Sequence, residues 1–421
     1  MKKHGLMVLV LISLVAIIIA GCAPQAETPA VTVPATPATP AAPKVLKVGS
    51  MWPLSGPGAL WGMPCKNVMQ FQAEQYNKAG GIEVGGQKYK LEIIYEDTKY
   101  VPSVARSVAE KLVNQDKVKY IMGPLSGGEM NAIKSLFNEQ KVINFQVNNS
   151  IDCVGPDKPY CFRPFIGIGE LSYSLIKYFK DNYGIKSLQI VVDDTESARS
   201  GVIDDEISCK ELGVKMFPTE YFPSETMDFY PIITKILPNK PDIIEIGGGV
   251  AAQALQLKTL KALGYKGLVY TSTPTPAFGL LWAVPDKTVI EGYFNTAFIL
   301  DGPMAMPGVV KFKNDWEAAG KMWGDSGGSV GVGSSNFLPL LIQGLQAAGT
   351  IDDTDKVKVA LEQLDYNSPI FGPCKWGGME RYGINHVLLY PININQIKDG
   401  TEVGMAVLQP KDLKPVIRPK Q

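Results

Sequence analysis

The sequence predicts an α/β fold made of two units of similar size. Short apolar segments alternate with amphipathic segments of helical period from Lys44 onward, and the alternation restarts after a loop bounded by Cys153 and Cys161. Short apolar strands between such helices indicate parallel sheets covered on both faces. At 421 residues, the chain is too long for one ordinary domain and long enough for two.

The first unit contains four predicted strands and three predicted helices. Its clearest helix is Val101–Val113, where apolar residues recur at the spacing of one helical face and Pro102 stands near the start, where its missing N–H costs nothing. The other predicted elements of this unit are strands Val45–Met51, Leu91–Tyr95, Tyr120–Met122 and Val142–Phe145 and helices Gly62–Ala79 and Glu129–Gln140.

The second unit repeats the alternation, and the rest of the chain is too short for a third unit. We therefore expect residues 291–421 to return elements to both units, with helices near Val309–Ala319, Asn336–Ala348 and Lys356–Leu364. The predicted elements of the second unit are helices Leu171–Tyr183, Val202–Leu212, Tyr230–Leu237 and Ala251–Leu263 and strands Leu188–Val192, Val214–Tyr221, Ile243–Ile246 and Leu268–Tyr270.

The amino terminus has the pattern of an export signal. Residues 1–21 combine two early lysines with an apolar stretch too short to span a bilayer, and they end just before Cys22. This ending resembles a bacterial lipobox, so we expect Cys22 to carry lipid; the alternative is an ordinary secretory signal followed by a chance cysteine. Residues 22–43 are rich in Pro, Ala and Thr, which predicts an extended tether.

Composition excludes several classes of protein. Forty-one basic residues balance 41 acidic residues, so the chain lacks the positive surface of a nucleic-acid binder. Only two histidines occur, His4 in the signal sequence and His386, which leaves little room for histidine catalysis or a multi-histidine metal site. Phosphate-loop, dinucleotide-binding, zinc-protease and serine-elbow motifs are missing from the sequence. We therefore expect no enzyme activity, no cofactor and no metal.

The cysteines fit an exported protein. Cys153 and Cys161 bracket a short Gly/Pro-containing loop, which makes them the best disulfide candidates in an oxidising compartment. Cys65, Cys209 and Cys374 remain unassigned, because pairing cannot be deduced from sequence.

An ordered series of short segments resembles the leucine/isoleucine/valine-binding protein family, the type I periplasmic binding proteins that deliver ligands to ABC importers. The matches run from about Lys44 to about Trp376, and the set, rather than any one segment, carries the resemblance. The segments are 48–57 (VGSMWPLSGP), 77–82 (NKAGGI), 96–98 (EDT), Pro102, 111–113 (KLV), 123–128 (GPLSGG), 162–164 (FRP), 228–229 (DF), 241–242 (PD) and 262–265 (ALGY).

The resemblance implies two doubly wound lobes joined by three crossovers, with the ligand in the cleft between them. It places the crossovers near Arg163–Phe165, Glu291–Gly292 and Asn367–Ile370. The first lobe would then comprise residues 44–163 and 292–367, and the second lobe residues 164–291 and 368–421. The ligand site would lie at the carboxyl ends of the strands.

The resemblance also implies which residues meet the ligand. The loop Ser126-Gly127-Gly128 precedes a helix, whose first N–H groups suit an anion, and the loop Asn148-Asn149-Ser150 follows the next strand. The family grips a ligand carboxylate with these two loops, although the family hydroxyl falls on Gly127 here. A plain structural turn is the alternative. Glu129 complements the helix dipole or faces solvent.

The ammonium half of an amino-acid site is weaker. The family's tyrosine and carboxylate fall on Gly249 and Thr273, and its second-lobe tyrosine falls on Ala198. An unpaired buried ammonium would be costly, so we expect a carboxylate or a neutral polar molecule with an apolar or aromatic body. Trp61 is expected against that body, with core packing as the alternative. Arg199 is expected to pair with a second anionic group, or else to lie on the surface.

These observations predict an extracytoplasmic solute-binding lipoprotein. Its expected partners are a small-molecule ligand, the membrane subunits of an ABC importer and a membrane reached through the lipid anchor, with the protein acting as a monomer. A branched-chain amino-acid binder, a ligand sensor of the same fold and an extracytoplasmic enzyme using His386 are the alternatives.

Overall fold

The computed structural model describes residues 43–326 and 329–418. The predicted signal sequence, Cys22 and all of the tether except Pro43 lie outside the described residues. Within these ranges the chain forms two lobes, each built around one sheet, and the predicted α/β class is confirmed.

The first lobe contains a six-stranded sheet in the order β2-β3-β1-β4-β5-β6. Strands β1, β3, β4, β5 and β6 are parallel, and β2 pairs antiparallel with β3 at one edge. Its elements are β1 Lys44–Trp52, α1 Ala59–Lys78, β2 Ile82–Val84, β3 Gln87–Asp97, α2 Pro102–Asn114, β4 Tyr120–Met122, α3 Gly127–Glu139, β5 Ile143–Phe145, a 3₁₀ turn Ile151–Cys153 and β6 Cys161–Phe162.

The second lobe contains an eight-stranded sheet in the order β18-β17-β12-β11-β10-β7-β8, with β9 also paired to β7. Its elements up to β12 are α4 Ile168–Tyr183, β7 Ser187–Asp193, α5 Glu196–Leu212, β8 Lys215–Met216, β9 Glu220–Phe222, α6 Tyr230–Ile236, β10 Ile243–Ile246, α7 Val250–Ala262, β11 Leu268–Tyr270, α8 Ala277–Ala283, α9 Lys287–Ile290 and β12 Phe294–Asn295.

The remaining chain returns to both lobes, as the sequence predicts. Helices α12 and α13 pack in the core of the first lobe, whereas β17 and β18 form an antiparallel hairpin at the edge of the second sheet. The elements are α10 Pro307–Ala318, α11 Ser329–Ser334, α12 Phe337–Ala348, α13 Thr354–Gln363, β13 Asn367–Ser368, β14 Gly372–Pro373, β15 Lys375–Gly377, α14 Met379–Tyr382, β16 Val387–Leu389, β17 Ile392–Lys398 and β18 Thr401–Leu408.

Two of the expected crossovers lie further along the chain than the sequence suggests. Phe294 and Asn295, expected in the first lobe, pair with strands of the second sheet. The ring of Trp376 lies 5.5 Å from that of Phe162, and Leu388 is buried in the core of the first lobe. Both residues were expected in the second lobe, as part of residues 368–421, but they belong to the first lobe. Strands of two or three residues carry too little periodicity to mark such boundaries.

Helix α5 begins six residues before the predicted start at Val202. Its cap is Thr195, whose hydroxyl accepts a hydrogen bond from the N–H of Ala198 at 3.2 Å. The first turns are polar, so the apolar period that marks the helix appears only later. This extension carries Glu196 and Arg199 on helix rather than loop.

A chain of buried charged groups joins the first crossover to the second lobe. Arg163, at the crossover, lies 2.7 Å from a carboxylate oxygen of Glu170 in α4. The hydroxyl of Tyr382 in α14 donates to Glu170 at 2.9 Å and accepts from both Arg163 and Arg381 at 2.8 Å. Both terminal nitrogens of Arg381 donate hydrogen bonds to the carboxylate of Asp204 in α5, at 2.9 and 2.8 Å. Each charge therefore has a partner away from water.

Replacing Asp204 with alanine should strongly destabilise the protein. The Arg381 side chain is fully buried and would lose the carboxylate with which it forms an ion pair, which typically costs about 3–5 kcal/mol. Urea unfolding followed by circular dichroism measures the loss. The matched control is Asp194→Ala, because Asp194 pairs with Arg199 at the surface and should cost about 1 kcal/mol or less. Equal losses in the two variants would contradict this role for Asp204.

Candidate ligand-binding cleft

The α3 turn, residues 126–128, is built by a reciprocal cap. The Ser126 hydroxyl accepts from the N–H of Glu129 at 3.2 Å, and the Ser126 N–H and hydroxyl both donate to the Glu129 carboxylate, at 3.1 and 2.9 Å. The predicted donor Ser126 is therefore committed to its own helix. Gly127 and Gly128 occupy the first two helical positions, where N–H groups have no intrahelical acceptor, so they keep the donors that an anion needs.

Glu129 is completely buried, which excludes the solvent-facing alternative. Burial raises the pKa of its carboxyl group, and the bonds from Ser126 oppose that shift. An anion at Gly127 would thus lie within one helical turn of another carboxylate. Binding there depends on direct N–H donation rather than on net positive charge.

The β5 loop, residues 148–150, behaves differently at each position. Asn148 is buried, its amide nitrogen donates to Gln146, and its amide oxygen accepts from the N–H of Ser150 at 3.0 Å. The Asn148 side chain therefore shapes the loop through these two bonds, and its expected contact with a ligand stays a prediction. Ser150 does lie beside the α3 turn, since a methyl group on Gly127 would come within 2.7 Å of the Ser150 β-carbon.

Asn149 connects the β5 loop to the second lobe. Its amide nitrogen donates to the hydroxyl of Ser197 at 3.0 Å, and its amide oxygen accepts from the N–H of Ile168 at 3.0 Å. Its backbone oxygen also accepts from the hydroxyl of Ser200 at 3.1 Å. The polar atoms of Asn149 therefore join the lobes in this structure, and its expected contact with a ligand stays a prediction.

Glu196 is a second-lobe side chain that reaches the α3 turn, whereas Arg199 lies elsewhere. A methyl group on Gly127 would overlap the Glu196 carboxylate, so that group lies directly against the turn. Arg199 is exposed, pairs with Asp194 at 2.5 Å and lies 4.3 Å from the centre of the Tyr221 ring. The surface alternative agrees with this position, and pairing of Arg199 with a ligand stays a prediction.

Tyr100 is a cleft residue that the sequence reasoning missed. Burial raises the pKa of its hydroxyl to about 12, and the carboxylates of Glu129, Asp193 and Glu196 add to the shift, which places Tyr100 among groups of both lobes. Its φ of +63° is unusual for a bulky residue and marks strain of the kind found at functional sites. Its position after β3 could have signalled it, because β3 and β4 flank β1 and their following loops share one edge.

Asp193 adds a second carboxylate to the second-lobe wall. It ends β7, it is partly buried, and burial raises the pKa of its carboxyl group. Gly249 caps α7 and Thr273 follows β11, so both lie at the expected edge of the second sheet. A methyl group on Gly249 would meet no atom within 4 Å, which shows open space beside it. Neither residue carries a charge, so the acidic groups of this wall come from Asp193 and Glu196.

Trp61 occupies the first turn of α1 and is partly buried against the core of the first lobe. The Trp61 ring therefore packs against the core, which was the alternative to ligand contact. Its position at the carboxyl-terminal edge of the sheet is also the position expected for contact with the body of a ligand. These two roles are compatible for a side chain of this size.

The structure corrects the expected disulfide. Cys153 and Cys161 are separate buried thiols in one apolar cluster, and the sulfur of Cys153 faces the backbone oxygen of Gly127 at 4.0 Å. Burial raises the pKa of the Cys153 thiol to about 12, so this thiol is unreactive at neutral pH.

His386 is fully buried and stacks on Phe162 with 3.8 Å between ring centroids. Its ring nitrogens lie 2.9 Å from the Glu362 carboxylate and 3.1 Å from the Cys161 carbonyl oxygen.

Among the described residues, no group of three or more His, Cys, Asp or Glu side chains is arranged to hold a metal. Within residues 43–326 and 329–418, no helix has the length and apolar character needed to cross a membrane.

Comparison with known proteins agrees with this two-lobed architecture. Residues 45–401 match the sequence profile of a family described as periplasmic binding protein. The chain belongs to the periplasmic binding protein family. Membership implies that the folded part works outside the cytoplasm.

The relatives of this periplasmic binding protein vary in coverage. A Leu/Ile/Val-binding protein homolog from Brucella suis is 25% identical over 392 residues, covering 87% of each chain. An uncharacterized protein from Methanocaldococcus jannaschii is 29% identical over 181 residues, which cover 42% of this chain but only 41% of that protein.

Solved structures share the fold. A leucine-binding protein from Thermotoga maritima has a TM-score of 0.73 at 19% identity, covering 88% of this chain and all of that chain. A solute-binding protein from Rhodopseudomonas palustris, solved with benzoate, has a TM-score of 0.72 at 18% identity, covering 90% of this chain and all of that chain.

Two neighbouring glycines of this periplasmic binding protein should respond differently to alanine. Gly127→Ala would overlap Glu196 and the β-carbon of Ser150, so the β5 loop must shift, at about 1–3 kcal/mol. Gly128→Ala meets only Pro102 at 3.6 Å, an ordinary contact, and should be neutral or slightly stabilising. Chemical unfolding of both variants tests this; a Gly127→Ala protein as stable as Gly128→Ala would refute the close approach of Ser150 and Glu196.

Proposed function

We propose that this chain is the solute-binding lipoprotein of an ABC importer and that it binds a small carboxylate-bearing solute between its lobes. The observation that supports this most is the juxtaposition at Gly127, where free helical N–H groups and Ser150 of the first lobe meet a side chain of the second lobe. A ligand seated there contacts both lobes, so binding favours the closed arrangement.

The first-lobe wall supplies hydrogen-bond donors. The N–H groups of Gly127 and Gly128 stand at the positive end of α3, where an anionic oxygen is favoured. The Tyr100 hydroxyl, whose pKa is raised, remains protonated at neutral pH and can also donate. A carboxylate oxygen can accept hydrogen bonds from donors of both kinds. Leucine, for which the Thermotoga maritima protein is named, and benzoate, with which the Rhodopseudomonas palustris protein was solved, both contain this group.

A branched-chain or other amino acid is the second candidate, and the second-lobe wall favours it. Gly249 and Thr273 offer no carboxylate for an ammonium group, but Asp193 at the end of β7 and Glu196 at the start of α5 supply two. An ammonium group facing these carboxylates would offset the negative charge that otherwise repels an anion at Gly127. The choice between a ligand with an ammonium group and one without it therefore depends on whether the Glu196 carboxylate attracts or repels the bound ligand.

A thermal-shift screen of full-length protein should identify the ligand class. The compounds are paired so that only one group differs: benzoate with benzamide, leucine with leucinamide, and leucine with 4-methylpentanoate. A ligand at one hundred times its Kd stabilises the fold by about 2.7 kcal/mol. We expect the carboxylates to raise Tm and their amides to have no effect. Binding of the amides as tight as that of the acids would contradict an anion site at Gly127.

The Glu196→Gln substitution should separate the two candidates by the sign of its effect. For a ligand whose only charge is a carboxylate, removing the Glu196 charge should raise affinity roughly two- to fivefold, because repulsion is relieved. For an amino acid, affinity should fall by a similar factor. Calorimetric titration measures both, and Asp194→Asn is the matched control, since it removes the same charge from an exposed pair. An affinity that Glu196→Gln leaves unchanged would remove Glu196 from the site.

Lipid attachment at Cys22 is tested separately. Mass spectrometry of the membrane fraction should find Cys22 at the new amino terminus with a mass that fits attached acyl chains, because stable anchoring needs more than one chain. The Cys22→Ser protein should lose that modification and leave the membrane fraction. Cleavage elsewhere, or an unmodified Cys22, would favour an ordinary secretory signal.

A further inference from the structure

The C-terminal segment, residues 409–418, packs across the second lobe after β18 ends. Leu413 and Val416 are buried, and the N–H of Val416 donates to the backbone oxygen of Gly169 at 2.8 Å. The Ser174 hydroxyl donates to the backbone oxygen of Asp412 at 3.0 Å. These contacts carry the segment along α4 and deliver its last described residue, Arg418, to α5.

Arg418 holds two groups of α5 at once. Its Nε lies 2.8 Å from one Asp204 oxygen, and its Nη2 lies 3.0 Å from the other and 2.9 Å from the Ser200 hydroxyl. Nη2 also donates to the Ser200 backbone oxygen, so its two hydrogens are shared among three acceptors. Arginine only donates, so the Ser200 hydroxyl oxygen is the acceptor in its contact with Nη2. The single proton of that hydroxyl is then directed to its other neighbour, the backbone oxygen of Asn149, at 3.1 Å.

This hydrogen-bond chain runs from the C-terminal segment into the first lobe. Asn149 lies at the centre of the β5 loop, directly before Ser150, and Ser200 lies one turn after Glu196 on the same helix. The bond between Ser200 and Asn149 therefore joins the two sides that meet at Gly127. Its geometry depends on the donor that orients the Ser200 hydroxyl.

We propose that Arg418 is a positioning residue for the cleft: by orienting the Ser200 hydroxyl toward Asn149, it holds the first turns of α5 against the β5 loop. Arg418 touches no ligand and acts through Ser200. Its effect on affinity rests on the proposed function, whereas its effect on the β5 loop does not.

Hydrogen exchange of the full-length, unliganded protein tests the effect on the loop. Arg418→Ala should speed exchange roughly tenfold in peptides covering residues 146–152 and 195–201, as expected for loss of a hydrogen bond from a charged donor. The protein should still fold, because Arg381 keeps both of its bonds to Asp204. The matched control is Lys414→Ala, which removes an exposed ion pair of the same segment with Glu211 and should leave both peptides unchanged.

Further variants separate positioning from stability. Ser200→Ala should speed exchange at residues 146–152 as much as Arg418→Ala does, and the double variant should add nothing there, because both act on one bond. Arg418→Lys keeps a charge near Asp204 but lacks the fork that also reaches Ser200, so it should retain most of the stability and still show faster loop exchange. Additive effects, or exchange changes confined to residues 195–201 and the C-terminal segment, would overturn the proposal.

Affinity provides an independent readout. Benzoate and L-leucine are the probes, and whichever binds the native protein should bind the Arg418→Ala protein roughly three- to thirtyfold more weakly. If neither probe binds the native protein, the proposed function fails for these two ligands, while hydrogen exchange still decides the role of Arg418. Unchanged affinity together with unchanged exchange at residues 146–152 would refute that role.

Discussion

The arrangement of the two lobes depends on the chain of buried charges that begins at Arg163. Arg163 stands where the chain first crosses between lobes, and Glu170, Tyr382, Arg381 and Asp204 extend the chain to α4, α14 and α5. A buried charge without a partner is costly, so these groups accept only positions in which all of them are satisfied. This requirement fixes α4 near its amino terminus, at Glu170, and α5 near its middle, at Asp204. The first turns of both helices contact the β5 loop.

The pairing of these buried charges also determines the geometry of the cleft. Helix α5 carries Asp204 in the charge chain and, two turns earlier, Glu196 against the α3 turn. Helix α4 begins at Ile168, whose N–H donates to Asn149, and it carries Glu170 less than one turn later. Each helix is therefore held at one point by buried ions and meets the first lobe at another. A change among the buried ions should be transmitted to the cleft through rigid helices rather than through a loop.

The sequence predicts the fold well because each long helix has its own apolar period, and α1, α2 and α7 begin within three residues of the expected positions. The sequence does not predict the burial or the contacts of a side chain where these depend on residues distant in the chain. Asp204 and Asp205 lie in the predicted helix Val202–Leu212, whose apolar period gives no sign that both carboxylates are buried. For the candidate site, the resemblance pointed to the loops that hold Gly127, Gly128 and Ser150, whose contact with a ligand stays a prediction. It could not show the bonds that Asn148 makes within its own loop, or that Glu196 lies against the α3 turn.

Selectivity in such a cleft comes from two unlike walls. The first lobe offers donors at the α3 turn and at Tyr100, and the second offers the acceptors Asp193 and Glu196. With a net charge of zero, the whole chain exerts little long-range attraction on ions of either sign, so discrimination must occur at contact. A solute without an acidic group would leave the N–H groups of Gly127 and Gly128 unpaired when water is excluded, at about 1–3 kcal/mol for each group. Lobe closure can therefore reject a solute of the right size and the wrong polarity.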